Sequence, residues 1–194
     1  MTRNCHTIRF WRGHLPHWEV IDGRYFVTLR LAGVLPADLQ SKLNNIMRDV
    51  NNSGLQNKSR KYFQHMEAWL DHDQTCNVLT EYPEVAKIIT TAFFEYEHRT
   101  IWQLHSYVLM PNHLHCFFTP IEQSMTDCMF NFKRYTTRLI NTYMGTTGKR
   151  FWQRKWFDHW SRSEQEDEKI INYIRHNPVK AGLVQSPEQW PYLR

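Results

Sequence analysis

Residues 108–118, VLMPNHLHCFF, constrain the fold more than any other part of this chain. Apolar residues flank Met110-Pro111-Asn112-His113, whose two central residues favour a tight turn: proline presets its φ and asparagine tolerates turn conformations. The pattern predicts a β-hairpin, with strands over 102–110 and 113–120. Side chains two apart on a strand share a face, so His113 and His115 should project together, about 7 Å apart, with Leu114 and Cys116 opposite. That spacing suits chelation of one ion. Strand histidines also pair by chance, and two imidazoles are too few for a tight site, so a third donor must come from elsewhere. With Met110 opposite His113, His105 should face Phe118 on the Leu114 side, away from the pair.

The chain has 194 residues, 41% of them hydrophobic, which is enough for one domain with a full core. No apolar run is long enough for a membrane span, and the opening MTRNCHTIRFWRGH lacks a signal-peptide core, so a cytoplasmic protein is expected. Cys5, Cys76, Cys116 and Cys128 lie far apart with no CxxC, which indicates neither a zinc ribbon nor a disulfide framework. A net charge of +5 beside 14% aromatic residues suits a surface that holds phosphates on cations and bases on rings.

Residues 24–31 alternate as a half-buried strand. Leu39, Leu43, Ile46 and Val50 recur at helical spacing, as do Phe63, Met66, Trp69 and Leu70 after a loop at 51–57. Asp71-His72-Asp73 reads as a polar helix end rather than a metal cluster. A helix opening at Pro83 carries Val85, Ile88, Ile89, Ala92 and Tyr96. Beyond the hairpin, a helix over 124–144 interleaves apolar residues with Lys133, Arg134 and Arg138. Residues 149–160, KRFWQRKWFDHW, then pack Lys149, Arg150, Arg154 and Lys155 among aromatics including Trp152 and Trp156. That stretch is the best local candidate for a nucleic-acid contact; a core-facing strand with solvated charges is the alternative. The last helix starts at Ser163 with a capping-box Glu166 and puts Ile170, Tyr173, Ile174 and Asn177 on one stripe, with Pro178 expected to end or kink it.

Together, MPNHLH (110–115), FWQRKWFDHW (151–160), YIRHNPVKAGLV (173–184) and WPY (190–192) resemble the REP-associated tyrosine transposases. These are HUH-superfamily nucleases related to the single-tyrosine insertion-sequence transposases. The resemblance implies an α+β, ferredoxin-like antiparallel sheet with helices packed on it. It implies a single domain over 1–194, with a basic and aromatic arm at about 1–17 and a tail at about 183–194. His113 and His115 match the metal-binding histidines, Tyr173 the nucleophile, and Asn177 the third protein ligand, a position that is usually Gln in the insertion-sequence relatives. The cofactor implied is Mg²⁺ or Mn²⁺, and the reaction is cleavage and rejoining of DNA through a 5′-phosphotyrosine. The partner implied is single-stranded DNA near hairpins of repeated extragenic palindromes in a bacterial cytoplasm, at the nucleoid when bound. A monomer is favoured over a dimer, and no membrane is involved. Lys133, Arg134, Arg138, Lys149, Arg150, Arg154 and Lys155 are the candidates for backbone contact, Trp152 and Trp156 for stacking. A catalytically silent DNA-binding protein acting on the same hairpins is the alternative, with a small-molecule metalloenzyme ranked below both.

Overall fold

The computed structural model describes residues 6–12, 16–49, 54–73 and 76–194. The loop expected at 51–57 and the helical position of Val50 lie partly outside them.

Two strands open the chain as an antiparallel hairpin, β1 (Thr7–Arg12) and β2 (Pro16–Val20). The main sheet holds β3 (Arg24–Arg30), β4 (Trp102–Leu109), β5 (His113–Pro120) and β6 (Phe157–Ser161) in the order β4-β5-β3-β6, with every neighbouring pair antiparallel. Helices α1 (Ala37–Arg48), α2 (Leu55–His72), α3 (Val78–Glu81) and α4 (Pro83–His98) connect β3 to β4. Helix α5 (Met125–Met144) connects β5 to β6, and α6 (Glu164–Lys180) follows. This is the ferredoxin-like antiparallel arrangement.

Alternation along β5 divides the interior into two cores. Leu114, Cys116 and Phe118 join Val85, Ile89 and Phe93 of α4 and Met125, Phe132 and Ile140 of α5. The opposite face meets Leu43 and Met47 of α1, Tyr62, Met66 and Leu70 of α2, and Ile174 of α6. Strand β3 is therefore not half-buried: Phe26, Thr28 and Arg30, on its second face, are buried too, because α1, α2 and α6 cover them.

Three local differences from the sequence reading have physical causes. A β-bulge between Leu104 and Ser106 swings His105 onto the Phe117 side, where its Nε2 lies 2.8 Å from Thr119 Oγ1. Pro178 does not end α6, which runs two residues past it. The amide that proline lacks would have served a single carbonyl, a loss a helix tolerates best near its end. Glu166 turns its carboxylate to His159 (2.7 Å) and the Arg162 amide (2.7 Å), while Ser163 still caps the helix by accepting from the Glu166 amide.

The WPY tail covers the outer edge of β4. The Leu109 amide donates to the Tyr192 carbonyl (2.9 Å), Arg194 and Tyr107 exchange backbone bonds, and the Trp190 indole donates to the Leu109 carbonyl (2.9 Å). A strand edge covered in this way offers no row of unpaired amides to another chain. The opening hairpin is tied to β6 through a buried hydrogen bond between His17 and Asp158. Among the described residues no helix is long and apolar enough to cross a membrane.

Candidate metal centre and nucleophile

The turn and the hairpin register put His113 and His115 on the face covered by α2 and α6. Both are buried, and their Nε2 atoms are 3.2 Å apart. The Nδ1 atoms point outward to fixed partners: His113 to Asn112 Oδ1 at 2.6 Å, His115 to Thr28 Oγ1 at 2.9 Å. Asn112 cannot be turned over, because its amide nitrogen donates to the carbonyls of Leu70 and Asp73 at the end of α2. Its oxygen can only accept, so His113 carries its proton on Nδ1 and leaves Nε2 as a lone pair. A second partner of this kind is what orients metal-ligating histidines.

Glu67 completes the cluster. Its Oε2 lies 3.2 Å from His115 Nε2, and one donor atom from each of Glu67, His113 and His115 falls within 4.8 Å of the others. Donors that share one ion at ~2.0–2.2 Å sit roughly 3 Å apart, so the spacing fits. The sequence reading passed over Glu67, although a signal was there: it falls on the same helical face as Phe63 and Leu70, an acid on a stripe meant for the core.

Tyr173 and Asn177 enter from α6. The Tyr173 hydroxyl donates to Glu67 Oε2 in a short hydrogen bond, and its ring centroid is 5.5 Å from that of His115. Asn177 is 0% exposed, and neither its Oδ1 nor its Nδ2 makes a hydrogen bond of ordinary geometry among the described residues, while its amide lies close enough to the Tyr173 hydroxyl to act on it. An amide buried without partners costs stability unless something else satisfies it. The remaining oxygen of Glu67 is likewise buried and unpartnered. A divalent cation suits this set of two imidazoles, a carboxylate and an amide oxygen.

The electrostatics are those of an enclosed site. Burial, reinforced by His115, depresses His113 from 6.5 to about 3. Burial alone would raise Glu67, but the two histidines and the Tyr173 hydroxyl outweigh it and hold the carboxyl at about 2. Tyr173 is pushed well above the usual phenol range by burial and then by the Glu67 charge. Lys180 lies 5.7 Å from the Tyr173 ring centroid and pairs with Asp71 at 2.6 Å, which places the Asp71-His72-Asp73 segment at a helix end, beside the site.

A cleft of ≈ 440 Å³ opens beside Tyr173, walled by Trp18, Phe26, Phe63 and Phe157 with Arg60, Arg162 and Lys169 among its lining. The basic residues of α5 and of 149–155 gather elsewhere. Arg134, Arg138, Lys149 and Arg154 line a groove of ≈ 490 Å³ with Phe130, which is 59% exposed. Arg150, Arg154 and Lys155 line a neighbouring hollow of ≈ 290 Å³. Two candidates are committed internally. The Lys133 ammonium donates to the carbonyls of Gln153 (2.7 Å) and Arg154 (2.8 Å), and burial lowers it to about 8. Trp152 is 2% exposed with its indole bonded to Thr136, so it has no face for a base; Phe130 offers one instead. Trp156 is half-buried, its ring 4.9 Å from the Lys133 ammonium.

A family model described as Transposase IS200 like matches residues 76–177. The chain is 24% identical over 115 residues to a REP-associated tyrosine transposase of Escherichia coli (strain K12), a match spanning 55% of this chain and 67% of that relative. Among solved structures, that of a REP-associated tyrosine transposase bound to a REP hairpin superposes with a TM-score of 0.56 at 18% identity. The superposition covers 89% of this chain and 76% of that one, and it shows a shared fold.

Proposed function

We propose, for a chain that belongs to the IS200-like transposase family, that it cleaves and rejoins single-stranded DNA beside palindromic repeat hairpins, using Tyr173 as nucleophile. The observation that carries this reading is the convergence of the Tyr173 hydroxyl on the cluster of Glu67, His113 and His115. A binder without turnover needs no phenol there.

His113, His115 and Glu67 would hold the ion, with Asn177 the further ligand its unpartnered amide invites. A bound Mg²⁺ or Mn²⁺ supplies Lewis-acid polarisation of the scissile phosphate and offsets the charge that disfavours phenolate. Glu67, ionised through the neutral range, accepts the hydrogen bond of the Tyr173 hydroxyl and so orients its oxygen; a carboxyl held at about 2 is too weak a base to keep the phenolic proton, which passes to water, while the departing 3′-oxygen takes one up from water. The Tyr173 oxygen then bonds to phosphorus as the phosphorus–3′-oxygen bond breaks. The products are a 5′-phosphotyrosine and a free 3′-hydroxyl, whose return attack joins strands without ATP. Phe26, Phe63 and Phe157 keep one side of the reacting centre dry, and the cleft they wall accepts unstacked nucleotides. Arg134, Arg138, Lys149, Arg150, Arg154 and Lys155 hold the DNA backbone. The covered edge of β4 supports a monomer as the working unit.

The test is incubation with labelled single-stranded repeat hairpins and Mg²⁺ or Mn²⁺, read on a denaturing gel. A covalent protein–DNA band that is absent in Tyr173→Phe is expected; a band of equal strength in that variant would remove Tyr173 as nucleophile.

A further inference from the structure

Arg30 is a buried charge with no counter-ion among the described residues. It is 6% exposed, and among the described residues its guanidinium donates to Met66 Sδ (3.1 Å) and Gln40 Oε1 (3.1 Å). No carboxylate pairs with it among the described residues. Two neutral acceptors leave most of its five N–H donors unused and its charge uncompensated, a condition that costs stability until an anion pairs with it.

Its surroundings say what arrives. Arg30, Gln40, Arg150, Gln153, Arg154 and Lys155 help line the hollow of ≈ 290 Å³, which among the described residues has four cations and no acid in its lining. The backbone holds this set together: the Gln153 amide donates to the Arg30 carbonyl (2.8 Å), the Ala32 amide donates to the Phe151 carbonyl (2.8 Å), and Leu31 bridges to Trp152. Arg30 also lies directly across the sheet from His113, on the same face. We infer that this hollow is a phosphate site in which Arg30 receives a backbone phosphate of the bound strand, next to the phosphate at the histidine centre. A planar guanidinium with free parallel N–H groups suits a phosphate better than any neutral ligand. The inference rests on the proposed DNA-processing function and adds to it a residue that fixes the strand's register.

Arg30→Met keeps the length of the side chain and removes the charge. Thermal unfolding of the variant should show a midpoint equal to or above that of the parent, because no ion pair is broken. Fluorescence anisotropy with a labelled single-stranded hairpin should show affinity roughly tenfold lower and a log–log salt slope shallower by about 0.7–0.9. Inorganic phosphate should raise the unfolding midpoint of the parent and not that of the variant. A lower midpoint with unchanged DNA affinity and salt slope would make Arg30 a packing residue and overturn the site. DNA binding and covalent-band formation that are identical in the two proteins would overturn it while leaving the nuclease reading intact. A phosphate response specific to Arg30 in a protein that binds no single strand would overturn the assignment to DNA, and the functional reading with it.

Discussion

One strand, β5, serves two interiors that obey opposite rules. Leu114, Cys116 and Phe118 enter a core made almost wholly of apolar side chains, where Phe132 stacks on Phe93 with ring centroids 4.9 Å apart. One residue out of step, His113 and His115 enter a core that also buries Glu67, Asn177 and Arg30. The first region gains stability from nearly everything it contains. The second keeps one unpartnered oxygen of Glu67 and both polar atoms of Asn177 away from water, a loss of stability that a bound ion would offset. The larger apolar core lies on one face of the sheet, and the candidate metal centre is set into the smaller one on the other.

Phe132→Ala should break this contrast on the apolar side. Emptying a site of 0% exposure should cost ~3–5 kcal/mol in denaturant unfolding, with an unchanged Mn²⁺ affinity wherever the variant is folded. Asn112→Ala should act on the other side. Freeing His113 Nδ1 should weaken divalent-metal affinity ~10–100-fold by calorimetry, with the hairpin retained by circular dichroism.

Acid should also discriminate between the two faces. The unfolded chain takes up a proton at His113 near 6.5, whereas the folded chain resists until about 3, so stability is full above 6.5 and falls as pH drops through that window. Glu67, ordinarily 4.5 and held at about 2, adds a loss in the same direction at lower pH. The metal-free unfolding midpoint should therefore fall between pH 7 and pH 5, and His113→Gln should flatten that slope. The smallest effect belongs to the periphery: Arg138→Ala should reduce the salt slope of DNA binding by about 0.7–0.9, with stability unchanged.

What could be read in advance follows the same division. The hairpin, its register and the helices carrying Tyr173 and Asn177 were legible because turn residues and apolar periodicity write them locally. The bulge at His105 was not, since an inserted residue changes the face without changing composition. The inward turn of Trp152 could not be read because a stretch mixing rings and cations does not say which rings face the core; its bridge to Leu31 decides that, and it is non-local. Glu67 and Arg30 could have been found by asking why a charge sits on a stripe otherwise fit for burial. Their convergence with residues far away in sequence needed the fold.

The central claim is that Glu67, His113 and His115 form one metal centre in contact with Tyr173, and thermal unfolding with and without Mn²⁺ tests it most directly. Mn²⁺ should raise the midpoint of the parent and of Tyr173→Phe, and should leave His113→Ala and Glu67→Gln unmoved. An equal rise in His113→Ala would place the ion elsewhere and contradict the account.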